Sequence, residues 1–420
     1  MNARHSLACS IAALSLVALH ARADSDRDRE RDRDRDRSTT VDCAAGETVA
    51  RALRHGDERK SLTILINGTC SEHVVINRSD IKLAAAAAGG TISGPDPAID
   101  VIRVTGSRVT LDGITVTGGR NGITADGAAG LIVQNAVVRS TGRNGVTYTQ
   151  GASGVVDGCT VANNARDGVA IDSASGTVIN SQVNHNARMG VGVFNGGSAR
   201  IGVDNFNNAG GNVISANASN GIHIIFGSTA LIAMNQVIGN GTSTDPAVLK
   251  NGINLASASA DIVGGNTISG NTGPGVNLVR SSANLGDSFF GLTTVNTISG
   301  NGSSASPGGI FAFNGSSLTL RDAVISGNSG FGMVLSLRSV AQVISSTIQN
   351  NLAVLPNNGD GIRLALGSGL FLAQPNSTST GNGGWGLNCT DSESSVVNTL
   401  FLILGGNALG GVGPACTGFF

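Results

Sequence analysis

The chain predicts an all-β solenoid, and three observations predict it. The first is a column of glycines, each followed by Ile, Val, Leu or Met: Gly122, Gly145, Gly168, Gly190, Gly221, Gly252, Gly275, Gly309, Gly332, Gly361, Gly386 and Gly411. The tightest steps between them are 22 or 23 residues. Self-similarity at that period marks repeats that bury a core only by stacking on their neighbours. The second is the alternation that follows each Gly. In Gly221-Ile222-His223-Ile224 and Gly252-Ile253-Asn254-Leu255 every second residue is apolar, the period of a strand with one face inward. The third is composition: 61 Gly against 8 Pro, with 3% aromatic residues, suits short strands joined by tight turns.

Taken in chain order, residues 1–23 read as a secretory signal peptide. Arg4 and His5 give a basic start, Ile11 to Leu19 an apolar core, and Ala21-Arg22-Ala23 a small-residue cleavage site. That core is too short to span a bilayer, and no later apolar run is long enough, so the mature chain is expected to be exported, extracellular or periplasmic. Residues 24–40 alternate acid and Arg with almost nothing to bury and are expected to be disordered. Their charges nearly cancel and the whole chain carries a formal net charge of −1, which gives no attraction to nucleic acid. Residues 41–420 form the expected solenoid domain. Cys43 and Cys70 bracket its first segment and Cys389 and Cys416 its last. In an oxidising compartment the natural pairing is one staple at each end. Cys159 is left over as a buried, inert thiol.

A second motif precedes each Gly. Asn212-Val-Ile214-Ser-Ala-Asn217, Asn235-Gln-Val237-Ile-Gly-Asn240, Asn266-Thr-Ile268-Ser-Gly-Asn271 and Asn296-Thr-Ile298-Ser-Gly-Asn301 share one plan. Weaker copies keep the second Asn at 164, 186, 328 and 351. With no helical segment between the strands, about three strands per coil are expected, parallel from coil to coil at a spacing of about 4.8 Å. The Asn holds a fixed offset from the apolar residue even where insertions lengthen the repeat. It is therefore expected to face inward and hydrogen-bond to the Asn above and below.

With these motifs the chain resembles the right-handed parallel β-helix proteins, of pectin-lyase-like fold and PbH1-type repeats, over roughly residues 41 to 418. The resemblance implies about a dozen coils and a short N-terminal capping helix, for which Thr48 to Arg59 fits, with Val49, Ala52 and Leu53 at helical spacing. It also implies polysaccharide chemistry. The polygalacturonase signature is incomplete, since Asp167-Gly168 and Asp360-Gly361 are present without a paired Asp-Asp or a Gly-His-Gly, and hydrolysis needs two placed carboxylates. The Asp-Pro-His-Glu motif of mannuronan epimerases is absent as well. An enzyme here would be lyase-like rather than a glycoside hydrolase.

One constellation carries the functional expectation. Arg120, Arg143, Arg166 and Arg188 each lie two residues before a repeat Gly, and Asp126, Thr149 and Asp172 lie four residues after one. Stacked in register, the guanidinium groups repel and require an offset. A uronate polysaccharide would supply it, because Arg binds carboxylates bidentately. Lyases of the resembled fold use Arg or Lys as base and Asp-bound calcium. The resemblance therefore implies Arg143, Arg166, Asp172 and His185 as catalytic candidates, and Asp126 and Asp172 as candidate calcium ligands. Arg120, Arg143, Arg166, Arg188, Phe194 and His223 are the candidate ligand-binding residues. Phe311 and Phe313 are further outward rings. Two alternatives stand beside this: the arginines pair with Asp157, Asp167 and carbonyls, or the long regular face is a non-catalytic structural or adhesive surface. Oligomeric state is not legible.

Overall fold

The space around the repeat glycine explains why nothing larger occurs there. A Cβ on Gly168 would lie 2.4 Å from Val183 Cγ1, 2.7 Å from the Gly190 carbonyl oxygen and 2.8 Å from Asn186 Nδ2. Stacked coils occupy the place of the side chain. The computed structural model describes residues 37–54, 60–286, 295–303, 307–354 and 359–419. The expected signal peptide and most of the Asp/Arg segment lie outside these residues. The first strand, Arg37–Asp42, pairs in parallel with Leu62–Ser71, so ordered structure begins slightly before the expected boundary at 41.

Each regular coil contributes three short strands, as in Ile123–Asp126, Gly130–Gln134 and Val137–Arg139. The first face holds the strands that follow the repeat Gly, fourteen of them stacked in parallel from Val74–Ile76 to Gly410–Val412. The second and third faces join into one 27-stranded sheet. They join because the long strand Ile81–Gly94 pairs with both Val109–Asp112 and Thr115–Gly118. Corners are turned by left-handed residues, among them Asn135, Asn163, Asn180 and Asn195, whose short polar side chains tolerate that conformation. Inside, Ile123, Val146, Val169, Val191, Ile222 and Ile253 stack in line with no exposed surface. Each contributes roughly 1.5–3 kcal/mol by burial. The arrangement is the parallel β-helix expected from the sequence.

The asparagines face inward and form two ladders. One runs Asn164, Asn186, Asn217, Asn240, Asn271, Asn301, Asn328, Asn351, Asn382, Asn407, with each Nδ2 donating to the next Oδ1 at 2.8–3.1 Å. The same Oδ1 also accepts a backbone N–H, as Asn186 does from Asn164 at 3.1 Å. The second ladder joins Asn212, Asn235, Asn266 and Asn296. Ser181 and Cys159 extend it upstream, the Cys159 N–H donating to Ser181 Oγ at 3.1 Å and the Ser181 N–H to Asn212 Oδ1 at 2.9 Å. Cys159 is free and buried, its thiol donates to the Val133 and Asp157 carbonyls, and burial pushes its pKa up to about 11.

The ends are closed as expected. Cys43 pairs with Cys70 and Cys389 with Cys416. The capping helix spans Val49–Arg54, within the expected Thr48 to Arg59, whose residues 55–59 lie outside those described. Glu72 holds its first turn, accepting from the Val49 and Ala50 N–H groups at 2.7 and 3.0 Å, and Val49 is fully buried over the open coil.

Candidate ligand-binding groove

A cavity of about 470 Å³ lies on the first face, and backbone register sets its lining. Residues two positions after the repeat Gly form one row: Thr124, Thr147, Ala170 and Gly192. Those four positions after it form a second: Asp126, Thr149, Asp172 and Phe194. On the other side stand Arg120, Arg143, Arg166 and Arg188. The Arg166 N–H donates to the Arg143 carbonyl at 2.9 Å and the Arg188 N–H to the Arg166 carbonyl at 2.8 Å. The arginines are thus one per coil, about 4.8 Å apart.

Their repulsion is offset from within the protein, at two of the four. Arg120 is held by the buried Asp100 through Nε at 2.9 Å and Nη2 at 3.3 Å. Arg188 donates from Nε to the buried Asp167 at 2.8 Å. Each carboxylate sits just before its coil's first-face strand, one coil upstream of the Arg it binds. At that position the coils upstream of Arg143 and Arg166 carry Asn121 and Asn144 instead. Arg143 and Arg166 accordingly make no side-chain hydrogen bond or ion pair among the described residues. One substitution of oxygen by nitrogen in each amide leaves a cation free.

The two carboxylates differ electrostatically. Burial raises the pKa of Asp100, but five donated hydrogen bonds, from Arg120, Thr124 and Asn121, outweigh it and hold the group below its usual value. Burial wins at Asp167, which receives only the Arg188 Nε and the Met189 N–H, and its pKa is raised. Arg103, at the upstream end, is paired with Asp126. Five arginines and four aspartates therefore line the cavity, and its net charge of +1 is concentrated at Arg143 and Arg166.

The structure brings together Arg120, Arg143, Arg166, Arg188, Asp126, Asp172 and Phe194 as lining residues of one cavity. His223 follows Gly192 in its row, 6% exposed, its ring centroid 6.1 Å from that of Phe194. His185 stands apart. It is an exposed corner residue with positive φ, its Nδ1 bonded to Asn184 Oδ1 at 3.0 Å, and it does not line the cavity. Phe311 and Phe313 stack on each other, centroids 5.8 Å apart, several coils downstream. Asp157 bonds Asn180 rather than an arginine.

Asp126 and Asp172 do not fit a calcium site. A coil separates them, with Thr149 between. Arg103 engages the first, and Asn195 and Ser173 the second. Among the described residues no group of three or more His, Cys, Asp or Glu side chains is placed to hold a metal, whereas calcium takes six to eight oxygens.

Asp100, Arg103 and the exposed Phe226 also line the groove and were missed in the sequence. Asp100-Val101-Ile102-Arg103 occupies the place that Asn121-Gly122-Ile123-Thr124 holds one coil later, but Val101 stands where the glycine would mark a repeat.

Residues 90–208 and 284–401 match the family described as right handed beta helix region. Together these are more than half of the chain, and the protein belongs to that family. No curated protein matches it in sequence. Among solved structures it is similar to pectate lyase Pel9A, at 15% identity and a TM-score of 0.37 over 74% of this chain and 76% of that one. The periplasmic alginate epimerase AlgG matches at 13% and 0.45 over 90% and 84%. The Azotobacter vinelandii mannuronan C-5 epimerase AlgE4 A-module matches at 14% and 0.36 over 87% and 91%.

Proposed function

We propose that this is an exported protein that binds an acidic polysaccharide along the first-face groove. The observation that carries the reading is the pair Arg143 and Arg166, adjacent in the stack and without a side-chain hydrogen bond or ion pair among the described residues, in a row whose other two arginines are paired with buried aspartates. Two free guanidinium groups about 4.8 Å apart suit two carboxylates on successive sugars, each taken bidentately. Across the groove, Thr149 and Asp172 offer oxygens to sugar hydroxyls. The two disulfides suit an oxidising compartment, and no helix among the described residues is long and apolar enough to cross a membrane. Should the bound chain also be cleaved, Arg143, Arg166 and Asp172 are the groups beside it, and β-elimination is the reaction class.

Titration with pectate, alginate and glucuronan tests this. Affinity for at least one is expected to fall steeply with salt, since exposed charges are screened within about 8 Å at physiological ionic strength. Changing Arg143 and Arg166 together to Gln should abolish binding with the melting temperature unchanged, while Arg188→Gln should lower it by stranding the Asp167 charge. No binding to any uronate polymer, or unfolding of the double variant at lower temperature, would reduce the groove to structural pairing on a non-catalytic scaffold.

A further inference from the structure

The downstream end of the groove is built differently from its centre. In the row of Asp126, Thr149 and Asp172 the next member is Phe194, and its ring is folded back over Gly192. A Cβ at Gly192 would lie 2.3 Å from Phe194 Cζ and 2.5 Å from Cε2, so the ring rests where any other residue would carry a side chain. The Arg188 guanidinium lies 5.7 Å from the ring centroid, with its charge already taken by Asp167. Phe226, 63% exposed, lines the same end. Neither ring offers anything to a carboxylate.

His223 lies just beyond the lining of this end, beside Gly192 in its row and with its ring centroid 6.1 Å from that of Phe194. Its Nδ1 receives the Asn220 and Asn254 carboxamide nitrogens at 3.1 and 2.9 Å. Asn254 is fixed in that orientation, because its Oδ1 accepts from Asn251 and Asn277 at 3.0 and 2.6 Å. With Nδ1 accepting, the imidazole is neutral and its proton sits on Nε2. Among the described residues nothing bonds Nε2, in a side chain 94% buried by its 6% exposure, and the atom is not sealed from solvent. A donor so placed has no hydrogen-bond acceptor among the described residues and is open to one from a ligand.

We propose that this end is a subsite for an uncharged sugar residue, so that the ligand combines acidic sugars at Arg143 and Arg166 with a neutral one at Phe194 and His223. The proposal rests on the acidic-polysaccharide reading of the groove. An aromatic face accepts the apolar face of a sugar ring, and the Nε2–H donates to one of its hydroxyls. A carboxylate there would lose its water without gaining a cation.

The test is calorimetric titration at fixed low salt with oligosaccharides of equal carboxylate number. One is a uronate homopolymer. The others alternate uronate with a neutral hexose, a deoxyhexose or an N-acetylhexosamine. At least one alternating oligosaccharide is expected to bind about tenfold tighter than the homopolymer or more. Phe194→Leu and His223→Asn, checked for folding by thermal melts, should each lower affinity for the alternating ligand more than for the homopolymer and so erode that preference. Asn suits position 223, since the same row carries Asn254 and Asn277. Homopolymer binding as tight as every alternating ligand, or a preference that survives both variants, overturns the subsite alone. Failure of every ligand to bind overturns the groove reading and the subsite with it.

Discussion

A single histidine shows how the amide rows govern charge. Two carboxamide N–H groups point at His223 Nδ1, and burial, with Arg188 adding to it, lowers its pKa to about 4. An unfolded chain takes up that proton near pH 6.5, whereas the folded one resists it. Stability is therefore full above about pH 6.5 and falls as pH drops toward 4, by about 3 kcal/mol over that window. His223→Asn removes this term. Thermal melts between about pH 7 and 4 should show the parent losing more than the variant, and parallel profiles would contradict the assignment. That His223 is buried was not legible from its alternating, outward strand position. It is covered because Asn254 stacks on one side of it and the Phe194 ring lies over Gly192 on the other, which depends on residues in other coils.

At the scale of the coil, the governing element is the residue just before the repeat Gly. Asp at that place neutralises the Arg one coil on, and Asn leaves it free. Asp167→Asn keeps a side-chain Oδ1 to accept the Met189 N–H and removes the charge that neutralises Arg188, so affinity for a uronate polymer should rise. Asn144→Asp should give Arg166 a partner and weaken binding as Arg166→Gln does. Asp167 carries a raised pKa because burial outweighs Arg188. The folded parent is accordingly penalised once pH rises above the usual carboxyl value and through the raised one. The Asp167→Asn variant should melt higher at neutral pH, and its advantage should vanish in acid. Unchanged affinity in both variants would break the rule. The Arg row could be read in the sequence, since it holds a fixed offset from the glycine. Its pairing could not, because each partner belongs to the preceding coil, and Asp100 sits in one with no repeat Gly.

For the molecule as a whole, stability is a sum over stacked coils with the ends as weak points. The last coil leaves Leu400 96% and Ile403 54% exposed, so the Cys389–Cys416 staple holds together the coil with least packing. Its loop spans 27 residues, for which loop closure contributes about 3 kcal/mol. Replacing both cysteines with Ala should open the C-terminal coil to limited proteolysis while the central coils stay intact; uniform loss across the chain would show the ends are not independent. Architecture at this scale was legible almost throughout. The Gly row follows from the lack of room for a Cβ, and the Asn rows from the need to satisfy buried amides. The early first strand was less so, since terminal coils obey no repeat.

Because spacing in the groove is the coil repeat itself, binding length can grow only in whole units, by copying a stretch of gene. Which stretch is copied decides the outcome. A tandem duplicate of residues 122–144 would place a second Arg143 after Asn144, and the groove would count three free cations instead of two. A duplicate of 145–167 would set the new Arg166 behind Asp167, where it is neutralised on arrival, and would lengthen the protein without lengthening its charge. Neighbouring lineages built on this plan could thus diverge in the size of chain they measure while every face, corner and amide ladder stays the same.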